Sequence, residues 1–96
     1  MNNKNNSTRI SGNEFFAMCK EKLITYYEET LNADSNKKLY NDDIFIVWYS
    51  KTLQNHKALM ADIHPDGMYY EFTYDGDKEQ LYMDVYKKWQ NICYKK

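Results

Sequence analysis

The side chains of this chain with the most usable chemistry are His56, His64 and Asp62. A metal centre or a proton-transfer site needs several such groups converging on one point. The two histidines stand near opposite ends of a predicted strand, so their rings do not converge, and Asp62 with His64 supplies only two ligands. Each histidine is expected at a surface turn. Cys19 falls on the apolar stripe of a predicted helix, and Cys93 has only Lys95 and Lys96 nearby to activate it. Neither has the neighbouring base that a nucleophilic thiol needs. Asp75-Gly76-Asp77 with Glu79 resembles a calcium loop only faintly, lacking the spaced oxygens and distal glutamate of one. Asp42-Asp43 and Glu28-Glu29 are adjacent pairs on solvated segments, and Gly12, Gly67 and Gly76 are too scattered to cradle a phosphate. The expectation is a protein that is not an enzyme and carries no catalytic residue, metal ligand or cofactor.

Bulk properties point to a surface instead. The 96 residues make one domain, 43% hydrophobic and 28% charged, with net charge −1. That balance disfavours a strongly basic nucleic-acid binder and an acidic mimic alike. Aromatic residues make up 17%, ten of them tyrosine, a side chain suited to half-buried strands and to interfaces. No apolar run approaches the roughly 18 residues of a membrane span. Two cysteines without CxxC spacing, and no visible signal peptide, suggest reduced thiols in a cytoplasmic protein.

These residues must be positioned by a few elements. Residues 1–12 read as a flexible polar arm, and 13–96 as a single α+β domain. Ser11 and Glu14 fit a capping box before an apolar run. Phe15, Phe16, Cys19, Leu23, Ile24, Tyr26, Tyr27 and Leu31 then share half of a helical wheel, predicting an amphipathic helix that ends in the turn-forming residues 32–36. Ile44 to Tyr49 is a continuous apolar and β-branched run, predicting a central strand covered on both faces. Gln54-Asn55-His56 is a plausible reversal into a strand over residues 58–64, where Leu59, Ala61 and Ile63 share a face. Pro65-Asp66-Gly67 supplies the next turn.

Asp75-Gly76 then predicts a tight two-residue hairpin between residues 68–74 and 78–86. Counting outward puts Met68, Tyr70 and Phe72 with Leu81, Met83 and Val85 on one face. Tyr69, Glu71 and Thr73 fall with Lys78, Gln80, Tyr82 and Asp84 on the other. Trp89, Ile92 and Cys93 at helical spacing predict a short C-terminal helix. The expected architecture is an N-terminal amphipathic helix on a three- to four-stranded antiparallel meander.

One helix covers one sheet face. The second face is expected to carry Phe45, Val47, Tyr49, Tyr69, Tyr82 and Tyr86, and either the C-terminal segment folds over it or a partner does. The candidate partner-binding residues are therefore Tyr49, Tyr69, Tyr82, Tyr86, Lys87, Lys88 and Trp89. Candidate occupants are a protein target, a second copy of the chain forming a homodimer, and a nucleotide held by stacking and charge.

The stretches Val47-Trp48-Tyr49-Ser50-Lys51-Thr52-Leu53-Gln54-Asn55, Lys57-Ala58-Leu59, Pro65-Asp66-Gly67-Met68-Tyr69-Tyr70-Glu71, Tyr74-Asp75-Gly76-Asp77-Lys78 and Asp84-Val85-Tyr86-Lys87-Lys88-Trp89 carry a resemblance. They resemble an uncharacterised family of small proteins of tailed phages and prophages of low-GC Gram-positive bacteria. The family brings no assigned activity and no catalytic residue. The resemblance implies a phage-encoded protein in the host cytoplasm that binds a host defence protein or complex, most concretely as an anti-CRISPR inhibitor. The alternatives are a nucleotide-signal sponge and a nucleic-acid-binding accessory of phage replication or transcription.

Overall fold

The computed structural model describes residues 9–31 and 38–96. Most of the polar arm expected over residues 1–12, and the helix end expected at residues 32–36, lie outside the described residues. Helix α1 (Gly12–Tyr26) begins at Ser11, whose hydroxyl accepts from the Glu14 amide at 3.0 Å while the Glu14 carboxylate accepts from the Ser11 amide at 2.7 Å. The capping box thus satisfies two amides that the first helical turn leaves without partners. The helix widens into a π-helical turn over Tyr27–Leu31. A short 3-10 turn, Asn41–Asp43, then leads into strands β1 (Ile44–Thr52), β2 (Asn55–Asp62), β3 (Met68–Asp75) and β4 (Gln80–Lys87). They pair antiparallel in chain order, so the fold is one helix on an open four-stranded meander, as the sequence predicts.

The helix lies on the face formed by Ile44, Ala58, Met60, Tyr70, Phe72 and Tyr74, and buries Phe15, Cys19, Leu23 and Tyr27 against it. The face assignment of β3 and β4 holds: Tyr70 pairs with Val85, Phe72 with Met83 and Tyr74 with Leu81. The turn between them is longer than predicted. Asp75 pairs with Gln80, leaving Gly76–Glu79 as a four-residue loop in which the Asp75 carboxylate accepts from the amides of Asp77 (3.0 Å) and Lys78 (3.2 Å). An aspartate that turns its side chain onto the following amides competes with the two-residue turn.

Three further expectations are corrected. The run Ile44–Tyr49 belongs to an edge strand, β1, and not to a central one covered on both faces. A bulge between Ile46 and Trp48 shifts its alternation: Ile46 pairs with Met60, but Trp48 pairs with Leu59 and Tyr49 with Ala58. One extra residue sends the following side chains to the opposite face. The reversal into β2 falls at Leu53-Gln54, with Leu53 at φ 57, so His56 sits within a strand. The predicted C-terminal helix is absent: residues 88–96 continue past β4 without helix, and Trp89 is 90% exposed. A single hydrogen bond from the Lys88 amide to the Gly67 carbonyl, 2.7 Å, extends the β4 pairing into that segment.

Candidate functional site

The sheet face away from the helix holds the candidate surface. Cross-strand pairs place Phe45 beside Ala61, Trp48 beside Leu59, Lys57 beside Thr73, Tyr69 beside Tyr86 and Thr73 beside Tyr82. Phe45, Val47, Trp48, Tyr82 and Tyr86 are each between 41% and 51% exposed, and among the described residues no element covers them. The face thus holds these aromatics on the two edge strands, β1 and β4, with Leu59, Thr73 and the Lys57–Glu71 ion pair between them. Its centre is nearly charge-neutral. Glu71 lies 3.6 Å from the Lys57 ammonium and accepts from the Tyr86 hydroxyl at 3.1 Å, a bond that raises the Tyr86 pKa.

Of the expected partner-binding residues, Tyr69, Tyr82 and Tyr86 share this face, and Lys88 reaches its edge. Lys87 pairs with Met68 at the end of β4 and is exposed. Trp89 lies beyond the sheet and does not fold back to cover it. Tyr49 is a correction: the bulge turns it to the helix side, against Phe16 (ring centroids 4.7 Å, edge to face), where its hydroxyl bonds His56 Nδ1 at 2.7 Å. Trp48 takes its place on the outer face. The run Ile46-Val47-Trp48 contains no glycine or proline to betray a bulge, so no local signal could have found the exchange.

At the end of the sheet near the β2–β3 turn this face opens into a cleft of about 350 Å³, lined among others by Phe45, Ala61, Asp62, His64, Tyr69 and Lys88. Asp62 is only 8% exposed. Its Oδ1 accepts from the His64 amide at 2.8 Å, while among the described residues Oδ2 has no hydrogen-bond partner, nor does the buried hydroxyl of Tyr70. Burial, followed by the charges of Asp66 and Asp43, pushes the Asp62 carboxyl above its ordinary range, against the pull of the His64 amide. His64 is half-buried, stacks on Tyr27 of the π-helical turn at 5.4 Å and bonds the Lys38 carbonyl through Nε2 at 3.2 Å. The expected surface-turn histidine is thus a packed one.

His56 departs further from expectation: it is a buried core residue, stacked on Phe15 at 4.9 Å. Cys19 is fully buried, and desolvation drives its thiol pKa far upward, so it carries no nucleophile. Cys93 is exposed. Iodoacetamide at neutral pH is expected to label one cysteine, Cys93, in the folded protein and both after denaturation. Labelling of native Cys19 at a comparable rate, read by peptide mass spectrometry, would contradict this packing. Among the described residues no group of three His, Cys, Asp or Glu side chains is arranged to hold a metal ion, and no helix is long and apolar enough to cross a membrane.

No curated protein and no solved structure matches the chain. Residues 16–96, which contain most of α1, the whole sheet and the C-terminal segment, match a family of unknown function. The chain belongs to that family, DUF6275.

Proposed function

We propose that this protein is a non-enzymatic binding protein whose uncovered aromatic sheet face docks on a protein partner. The observation that carries the reading is the half-exposed Phe45, Val47 and Trp48 of β1 and Tyr82 and Tyr86 of β4, on a face that no described element covers. Tyrosine and tryptophan are the residues that most often dominate the energy of protein interfaces. The resemblance to small proteins of phages and prophages supports a partner in a bacterial host defence system, most concretely a CRISPR effector, met in the host cytoplasm.

A nucleotide sponge has less support. Tyr69 and Lys88 do meet at one cleft, but Asp62 lines the same place with Asp43 and Asp66 nearby, and like charge opposes a phosphate there. The exposed lysines of the C-terminal segment would serve a nucleic-acid role only if binding weakened steeply with salt.

Co-expression of tagged protein in bacterial hosts carrying CRISPR systems, followed by affinity capture, is expected to retain one partner at stoichiometric amounts. The double variant Phe45→Glu with Tyr82→Glu, which alters only half-exposed side chains, is expected to lower that capture at least tenfold with the fold intact. Capture of a partner by both proteins equally, or of none across several hosts, would reject the reading. A stable dimer of the protein alone, seen by analytical ultracentrifugation and broken by the same variant, would assign the face to a second copy instead.

A further inference from the structure

The sheet is open, and its two edges differ. Strand β1 carries a bulge between Ile46 and Trp48, which breaks the regular row of main-chain groups on its free side. Strand β4 carries none: it pairs residue for residue with β3, from Lys87 opposite Met68 to Gln80 opposite Asp75. Among the described residues nothing pairs with its other side, so alternate amides and carbonyls of this eight-residue strand lie free. Leu81, Met83 and Val85 point to the helix side, where they pack on the core yet stay only half-buried. Above Leu81 and Met83 the helix leaves an open cleft of about 320 Å³, lined further by Lys22, Thr25, Tyr26 and Glu29. The apolar layer thus runs out to the free edge.

The two ends of β4 carry opposite charge. The turn before it holds Asp75, Asp77 and Glu79 against the single Lys78, and its far end holds Lys87 and Lys88. An edge that is acidic at one end and basic at the other is complementary to its own antiparallel copy. The pleat limits how two copies can meet, because residues directly opposite must lie on one face. A two-fold axis through Met83 pairs Leu81 with Val85, Tyr82 with Asp84 and Gln80 with Tyr86 of the other copy, and brings Glu79 to Lys87. An axis through Asp84 would set two carboxylates directly opposite each other and Leu81 against Lys87. Axes through Tyr82 or Val85 shorten the paired length.

We propose that β4 pairs with β4 of a second copy of the chain, antiparallel about a two-fold axis at Met83, so that two sheets become one. The contact is isologous, and every interaction in it occurs twice. It joins Leu81, Met83 and Val85 of both copies into one apolar strip and sets the acidic turn of each beside the lysines of the other. Main-chain hydrogen bonds supply attraction along the edge, and the charges fix the register. The outer aromatic face stays open in this dimer, so the inference stands independently of the protein-docking reading.

The test uses the full-length protein in sedimentation velocity over a range of concentrations, where a monomer–dimer equilibrium is expected. Lys87→Glu alters an exposed side chain and sets like charges together twice, so it is expected to weaken association about tenfold. Adding Glu79→Lys is expected to restore it. Cross-linking reads the register. In a Cys93→Ser background, Met83→Cys is expected to form an intermolecular disulfide on mild oxidation, because a residue on the axis faces itself. Tyr82→Cys and Asp84→Cys are not, because each stands about 8 Å from its counterpart, beyond the roughly 7 Å that a disulfide spans. A chain monomeric at every concentration would overturn the proposal and leave the edge to a strand of another protein. So would equal cross-linking at the three positions, or association indifferent to Lys87→Glu. The variant Tyr82→Glu weakens this dimer too, by adding a carboxylate opposite Asp84, so the single variant Phe45→Glu on the far edge strand separates the two surfaces. It is expected to leave the dimer intact while impairing capture of a protein partner. A dimer lost in Phe45→Glu alone belongs to the outer face and overturns the edge pairing.

Discussion

Replacing Gly76 by valine is expected to cost about 3 kcal/mol or more of stability, and by alanine about 2, by the magnitudes of overpacked sites whose neighbours cannot yield. A positive φ is not the reason. Gly67 is the glycine with a left-handed backbone, φ 74, whereas the four-residue loop after β3 places its positive φ at Glu79, φ 52. Gly76 is instead required by proximity. A Cβ there would collide with the Gln54 carbonyl oxygen and sit 2.6 Å from Gln54 Cγ, in the turn between β1 and β2. The two hairpin tips are knitted together at this point. The Gly76 amide donates to Asn55 Oδ1 at 2.9 Å, and the Gln54 side-chain amide donates to Asp77 Oδ1. A backbone carbonyl cannot swing away as a side-chain tip can, so the strands must separate. Asparagine discriminates between the two explanations: it tolerates positive φ but is larger than alanine, so Gly76→Asn is expected to be worse than Gly76→Ala. Urea midpoints at constant m-value measure the series. Asparagine restoring near-native stability would show that backbone conformation, not contact, selects glycine. By the same reasoning Glu79→Asn should be neutral or gain up to about 1 kcal/mol, since asparagine adopts the left-handed region more readily than glutamate.

Much of the architecture was legible because several local signals agreed. Ser11 and Glu14 announced the helix start, and hydrophobic alternation assigned the faces of β3 and β4 even though the turn between them was misjudged. Parity explains why: lengthening the loop from two residues to four moves the register by an even number, so every side chain keeps its face. The odd insertion in β1 had the opposite consequence. One bulged residue exchanged Tyr49 for Trp48 on the outer face, within a run whose apolar and β-branched residues suit either side.

The cleft was illegible for a different reason. In the sequence Asp62 and His64 read only as two ligands of an incomplete metal site. In the fold, the charges of Asp43 and Asp66 act on the buried Asp62 from the turns before β1 and before β3. Convergence of that kind is a property of the turns and has no periodicity in the chain. The missing C-terminal helix has a similar origin. Trp89 and Ile92 have helical spacing, but the segment does not pack on the sheet, and nine residues by themselves fall below the length at which a helix sustains itself in water.

His56 offers the sharpest test of the core. Removing its ring with His56→Ala is expected to cost about 3 to 5 kcal/mol, a large part of the stability of a domain this size. Its Nε2 faces the Ile10 carbonyl at 3.1 Å, and a carbonyl only accepts, so Nε2 carries the proton. A neutral imidazole has one N–H, which leaves Nδ1 to accept from the Tyr49 hydroxyl. Both ring nitrogens are thereby satisfied in a site closed by Phe15, Tyr49 and Tyr74. Desolvation lowers the His56 pKa, and the charge of Lys51, its cross-strand neighbour, lowers it further; the Ile10 bond opposes both. The unfolded chain therefore takes up this proton more readily than the folded one. Stability from neutral His56 is fully present above the unfolded pKa near 6.5 and is lost as pH falls below it toward the folded value. His56→Phe keeps a ring on Phe15 but strands the Ile10 carbonyl and the Tyr49 hydroxyl, at a cost of about 2 kcal/mol at pH 7.5. It is also expected to flatten the stability profile between pH 6.5 and 5, where the titration of His56 is otherwise felt. Tyr49→Phe should cost only about 1 kcal/mol and retain the acid limb, because the imidazole is still there to be protonated. Urea titrations of the three variants at pH 7.5, 6.5 and 5.5 separate the contributions. An unchanged acid slope in His56→Phe would place the controlling proton elsewhere, and with it the account of how the chain before α1 is fastened to β2.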